Sequence, residues 1–389
     1  MSTTIGERIR ARAGSGPKRL RVCVLLGGNA AERPVSIASG LAVSEALLHR
    51  GHGVTVLDPA TGTRFERAAE DRSEAESRLG LSTSGQGLVR EEGVSAEEAI
   101  ARTRRIVPSL AEIDPTEFDV VLSVLHGGVG EGGAVPAMLE LLGLPYVGSD
   151  PISSAVTLDK EFTKRALHFA GVPVARDWPW NPQSNGGSAR RCGEARPSEA
   201  WMKKVGGYPV VVKPLLEGST VGLTIVKDPS EWETAWRNGA PYAHPTRGLL
   251  VEEYIPGREI TVAVVAGEAL PVVEIVPKSG FYDFEHKYTK GETEYHVPAL
   301  LAEPTAARLQ ELALIAFREL GCRDLARIDF RLTGADEPYC LEINTLPGMT
   351  GTSLVPMASR TVGIEFDELL ETLSRIAIAR HGGGGGEGR

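Results

Sequence analysis

The chain has no apolar run long enough to cross a membrane, few cysteines and no excess of positive charge. No stretch reaches the roughly 18 apolar residues of a spanning helix, which excludes a transmembrane segment. The N-terminus, MSTTIGERIRARAGSGPKRLR, is basic and lacks the continuous apolar segment of a secretory signal, so a cytoplasmic location is expected. Only four cysteines are present, with no C-x-x-C spacing. Cys23 and Cys340 sit in apolar strand-like runs and Cys192 in a Gly/Ser/Pro-rich loop, which points to packing residues rather than a metal site or nucleophile. A formal net charge of −9 offers no field for nucleic acid or an anionic membrane. The expected partner is a small molecule.

What is present is an ordinary soluble composition, 42% hydrophobic and 24% charged, over 389 residues, which is too long for one compact core and predicts two or three domains. LRVCVLLGG (20–28) is an apolar run ending in Gly-Gly, followed by a Ser-started helix pattern, a Gly stop and a β-branched run. FDVVLSVLHGG (118–128), AVPAMLELLG and LPYVGSD repeat that β-α-β rhythm, so residues 20–150 read as an open parallel α/β domain whose ligands approach the strand C-termini at the Gly-Gly pairs. Within it, residues 61–115 are rich in Glu, Arg, Ser and Ala with weak periodicity, and a solvated helical insertion without chemistry is expected. Residues 151–250 predict a smaller α+β domain and 251–380 a further alternation of strands and helices. A flexible basic tail (1–19) and a disordered Gly-rich tail (381–389) complete the division.

Chemistry concentrates late in the chain. In LARIDFRLTGADEPYCLEIN, two strands of a hairpin carry Asp329 and Glu342, and Asn344 follows Glu342 by two, so the latter pair shares one strand face. Three hard oxygen-bearing side chains meeting at one point suit Mg²⁺ held together with phosphate oxygens. YPVVVKPLLEGSTVG ends an apolar strand in Lys213 and continues into a Gly-Ser-Thr loop, which reads as a phosphate cradle without the Walker order. In LLVEEYIPGREITV, Glu259 is placed to accept ribose hydroxyls while backbone near Glu252 to Ile255 meets an adenine edge. GFYDFEHKYTKGETEYHVPA (280–299) is a polar, aromatic flap with Lys287 and Tyr288 as its working residues. His286 and His296, ten apart with no nearby cysteine, read as solvated or packing histidines.

These stretches, with GGNAAERPVS, HGGVGEGG, LELLGLPYVGS, LDKEFTK and LEINTLPGMTGTSLVPM, resemble the ATP-grasp superfamily and, within it, the D-alanine–D-alanine ligase family. The resemblance implies a three-domain ATP-grasp fold, α/β and α+β, with ATP between the central and C-terminal parts. It implies Lys160 and Lys213 on the phosphates, Glu252 and Ile255 at the adenine, and Glu259 at the ribose. Asp329, Glu342 and Asn344 would hold two Mg²⁺, with Mn²⁺ as a substitute. Glu32 would take the ammonium of the first D-alanine in a network with Ser219 and Tyr288, with His126 near its carboxylate; Ser353 and Leu354 would take the second carboxylate.

The implied activity is formation of D-alanyl-D-alanine for peptidoglycan precursors and cell-wall biogenesis, through an acylphosphate. Arg327 and the Gly348 N–H would serve the tetrahedral oxyanion and Lys287 the transferring phosphate, under a closed flap. The Lys287–Tyr288 pair favours an amine over D-lactate as the second substrate, and a homodimer is expected. Two positions depart from the family pattern, Ala30 where Ser is common and Gly132 where Asp is usual. They keep open a specialised ligase with another amino-acid or hydroxy-acid substrate. A non-catalytic nucleotide-binding protein is the other alternative.

Overall fold

The computed structural model describes residues 3–14, 16–30, 32–67, 72–80, 96–182, 197–218, 220–278 and 293–383. Three sheets organise them.

The first sheet contains β1 (Arg21–Leu25), β2 (Gly53–Asp58), β3 (Thr63–Glu66), β4 (Val120–Ser123) and β5 (Tyr146–Val147), in the order β3-β2-β1-β4-β5. All neighbours are parallel except the edge strand β3. The central strand β1 is covered on both faces, which is why its sequence is continuously apolar rather than alternating. Helix Arg33–His49 makes the crossover from β1 to β2 and buries Ile37, Leu41, Val43 and Leu47 against the sheet. Gly27 and Gly28 end β1 with positive φ, 81° and 79°. A side chain at Gly27 would collide with the buried Arg33–Asp58 ion pair, so the tight turn needs glycine there.

Residues 61–115 are not simply a solvated insertion. Strand β3 belongs to the main sheet, and helix Ala96–Ala111 buries Ile106 and Leu110, with Ile113 beyond it, against Cys23, Leu25, Leu57 and Leu139. The apolar stripe is narrow and interleaved with charge, which hid it in the sequence. The N-terminal stretch is likewise not a flexible tail throughout. Helix Ile5–Ala11 opens with a capping box between Thr4 and Glu7, buries Ile9 completely, and pairs Arg8 and Arg12 with Glu268 and Arg10 with Glu368. At the other end, helix Phe366–Gly383 runs into the first residues of the expected Gly-rich tail, while 384–389 lie outside the described residues.

The second sheet is antiparallel, in the order β6-β9-β7-β8: β6 (Asp177–Trp180), β7 (Val210–Pro214), β8 (Thr224–Val226) and β9 (Leu249–Glu253). Its core packs Trp180 edge-on to Trp232 at 4.9 Å and to Trp236 at 5.5 Å.

The third sheet, also antiparallel, runs β13-β12-β10-β14-β15 with β11 on β10. Its strands are β10 (Arg258–Val265), β11 (Glu268–Ala269), β12 (Val273–Pro277), β13 (Thr293–His296), β14 (Leu325–Leu332) and β15 (Pro338–Asn344). In β14, Ala326, Ile328, Phe330 and Leu332 point into the core shared with helix Glu303–Glu319. The strand's period of two therefore turns Arg327, Asp329 and Arg331 to the opposite face.

Candidate active site

The three sheets meet at a cavity of about 440 Å³. On the third sheet, Arg327 lies opposite Asn344 and Asp329 opposite Glu342, with a bulge immediately after Asp329. All four line the cavity, so the convergence expected from the spacing is present. The Asp329 carboxylate is held from two sides: Arg327 donates to it at 2.7 Å from Nη2 and 2.9 Å from Nε, and Thr261 Oγ1 donates at 2.6 Å. Among the described residues no cluster of three or more His, Cys, Asp and Glu side chains is arranged for a metal. The oxygen set here is two carboxylates and an amide.

Two lysines face that set. Lys160 opens helix Lys160–Phe169, donates from Nζ to the Glu217 carbonyl at 2.6 Å, and lies 3.5 Å from Glu342 Oε2. Its helix is capped by Asp159, which accepts from Glu161 N and Phe162 N and is clamped by Arg247. Lys213, on β7, lies 2.5 Å from Glu252 Oε1, and the other Glu252 oxygen accepts from Lys164 Nζ at 2.7 Å. Burial pushes the Glu252 carboxyl up, but Lys164 and Lys213 outweigh it and hold it at about 2.

Glu252 and Ile255 do not line the cavity. The Glu252 side chain is buried against the two lysines, and the Ile255 carbonyl accepts from Arg331 Nε at 3.2 Å. Glu259 does line it, with Arg331 Nη1 at 3.1 Å, so Arg331 ties the segment around Ile255 to Glu259. Nothing in the sequence singled out Arg331, Lys164 or Glu217, because each works through a neighbour distant along the chain.

At the other end of the cavity, Glu32 projects from the start of helix Arg33–His49. A Cβ on Gly127 would sit 3.1 Å from its Oε2, so the glycine allows the HGG loop to approach the carboxylate. His126 is buried; its Nδ1 is 3.0 Å from the Leu346 carbonyl and therefore donates, and Nε2 is 3.5 Å from Ser39 Oγ. Glu131 Oε1 lies 3.9 Å from Nδ1. Gly348, Ser353 and Leu354 line the cavity as well, and Ser353 Oγ accepts from Thr350 N at 3.0 Å instead of capping its own helix, Leu354–Arg360.

Ser219, Lys287 and Tyr288, and His286 with them, lie outside the described residues. His296 is partly exposed on β13 and pairs with Glu274 at 3.1 Å and Glu294 at 3.3 Å. Of the two departures, Ala30 abuts Gly127, whereas Gly132 ends the short helix Gly128–Glu131 and does not line the cavity.

A family model described as "D-ala D-ala ligase N-terminus" matches residues 21–149, and one described as "D-ala D-ala ligase C-terminus" matches 188–375. The chain belongs to the D-alanine–D-alanine ligase family. It is 35% identical over 362 residues to the D-alanine–D-alanine ligase of Moorella thermoacetica, covering 92% of this chain and 99% of the relative. The Aquifex aeolicus D-alanine–D-alanine ligase is 37% identical over 354 residues, with 91% and 99% covered. Among solved structures, the D-Ala:D-Ser ligase VanG of Enterococcus faecalis superposes with a TM-score of 0.70 at 26% identity, covering 92% of this chain and 99% of that one. The Coxiella burnetii D-alanine–D-alanine ligase gives 0.70 at 26%, covering 95% and 96%. The three sheets thus form an ATP-grasp fold with an N-terminal open α/β part.

Proposed function

We propose that this protein joins two D-alanines at the expense of ATP, releasing ADP and phosphate and supplying D-alanyl-D-alanine for peptidoglycan precursors. The observation that carries the reading is the gathering of Arg327, Asp329, Glu342 and Asn344 on one sheet face, in one cavity with Lys160, Lys213, Glu32, His126 and Ser353. A binding module has no need of transition-state groups beside an anion cradle.

The chemistry follows from charge. A carboxylate is a poor electrophile, so the carboxylate of the first amino acid attacks the γ-phosphorus of ATP, and ADP leaves. Lys160 and Lys213 hold the phosphates during that transfer, and Glu259 orients the ribose. Asp329, Glu342 and Asn344 fit Mg²⁺ as all-oxygen donors, two ions in our reading with Mn²⁺ as a substitute; bound with ATP, the metal supplies charge neutralisation for the transferring phosphoryl group. Glu32 receives the ammonium of the first substrate and His126 lies near its carboxylate; Ser353 and Leu354 position the second. The second amine then attacks the acylphosphate carbonyl, Arg327 and the Gly348 N–H receive the developing oxyanion, and the bond from the carbonyl carbon to the phosphate oxygen breaks as phosphate departs with the proton that the amine gives up. The expected flap residues Lys287 and Tyr288, and Ser219 beside the first ammonium, complete this assignment.

Incubation of the purified protein with Mg·ATP and a panel of D- and L-amino acids and D-lactate, with products identified by mass and chirality, tests it. D-alanyl-D-alanine should dominate. The similarity to a D-Ala:D-Ser ligase at the same TM-score supports one second reading, in which D-serine is the second substrate and D-alanyl-D-serine dominates. The protein is further read as a cytoplasmic homodimer. The exposed Leu141 and Ile152, on adjoining helices Ala134–Leu141 and Pro151–Leu158, support the pairing, and sedimentation equilibrium checks it.

A further inference from the structure

Lys164 does not line the cavity, yet it is almost wholly enclosed, with its side chain 2% exposed. It follows Lys160 by one helical turn, so the same helix sends one ammonium into the cavity and the next into the wall behind it. There its Nζ lies 2.7 Å from Glu252 Oε2 on β9 and 3.8 Å from Asp177 Oδ1 on β6. Asp177 and Glu252 are direct neighbours across those strands. The other Glu252 oxygen holds Lys213 Nζ at 2.5 Å. The charges therefore form a row, Asp177, Lys164, Glu252, Lys213, and of these only Lys213 reaches the cavity.

The order has a consequence for Lys213. To reach a phosphate its ammonium must loosen from Glu252, and a buried carboxylate tolerates that only while another cation stays beside it. We propose that Lys164 is a positioning residue for nucleotide binding: by sharing Glu252 it frees Lys213 for the phosphates. This rests on the ATP reading of the cavity. Lys164 touches no substrate, so its effect falls on ATP affinity rather than on phosphoryl transfer.

The test is a double-mutant cycle of K164M and E252Q, with K164R as the charge-conserving control. The readouts are the Kd of Mg·ATP by equilibrium dialysis, kcat, and thermal unfolding of each variant. K164M should weaken ATP binding about tenfold, equivalent to ~1.4 kcal/mol, while kcat at saturating ATP stays within about twofold. K164R should bind ATP close to the parent. In the E252Q background K164M should change the Kd by less than about twofold, because the shared carboxylate is gone. If K164M alone is unstable, K164Q takes its place in the cycle, with the same outcomes expected. An equal loss of affinity in both backgrounds, or a fall in kcat with Kd unchanged, would overturn the proposal. A parent protein that binds no Mg·ATP would instead overturn the ATP reading itself.

Discussion

Asp329 and Glu342 face each other across β14 and β15, on the side of the sheet turned away from the apolar core and toward the cavity. Two carboxylates side by side repel unless a cation lies between or beside them. Arg327 offsets Asp329 at 2.7 Å, and Lys160 stands 3.5 Å from Glu342.

Substituting either acid by its amide keeps the shape and removes the charge. E342Q and D329N should each lower kcat by about 10²-fold or more, the scale of losing one transition-state group. Thermal unfolding should stay near that of the parent, because neither side chain belongs to the apolar core. Steady-state phosphate release and calorimetry check the pair of outcomes.

Arg327 has two tasks in this geometry, holding Asp329 through two nitrogens and facing the oxyanion. Lysine keeps the charge but has no planar fork. R327K should therefore lose most of the activity, about 10²-fold in kcat, with the Kd of Mg·ATP changed far less. Parallel kinetics and dialysis separate the two effects.

The two acids were legible in the sequence because strand periodicity decides which face a side chain takes and a hairpin brings its two strands together locally, whereas Arg327 came only from the family resemblance. The parallel sheet was legible for a similar reason, its apolar runs ending in Gly-Gly turns. The Lys164–Glu252 contact was not, since it joins a helix to a strand 88 residues away and depends on how the two pack. For the same reason the sequence did not show that the Glu252 side chain, in the segment expected at the adenine edge, pairs with Lys164 and Lys213. The helix at Ile5–Ala11 carried a readable signal, Thr4 three residues before Glu7, but its short length and basic composition suggested a tail.

His296 sits on β13 between Glu274 and Glu294, and its hydrogen bonds first to Glu274 and then to Glu294 raise its pKa above the ordinary value of 6.5. Arg258 holds Glu274 from the other side at 2.6 Å. A raised pKa means that the protonated ring favours the folded state: the contribution is fully present below about pH 6.5 and is lost as pH rises through the folded value. Thermal unfolding of the parent and H296Q across pH 5 to 9 should therefore differ most at the acid end of that range, about pH 5–6, and converge toward alkaline pH. A difference independent of pH would contradict the ion-pair account.

Ile9 is fully buried, and its helix is pinned to the C-terminal part by Arg8, Arg10 and Arg12. Ile9→Ala should cost about 2–5 kcal/mol of stability, as for other buried aliphatic truncations. Denaturant unfolding should show that loss, while kcat at a temperature well below the transition stays near the parent value. Gly6→Val should act in the same direction, since even a Cβ there would meet the Val362 carbonyl.

The central claim is that a substrate carboxylate takes the γ-phosphoryl group before the amine attacks. D-alanine labelled with ¹⁸O in both carboxylate oxygens, turned over with unlabelled Mg·ATP, tests this directly by mass analysis of the released phosphate. The acylphosphate route predicts one ¹⁸O atom in each phosphate formed together with the dipeptide; phosphate carrying no label, with dipeptide still formed, would contradict it.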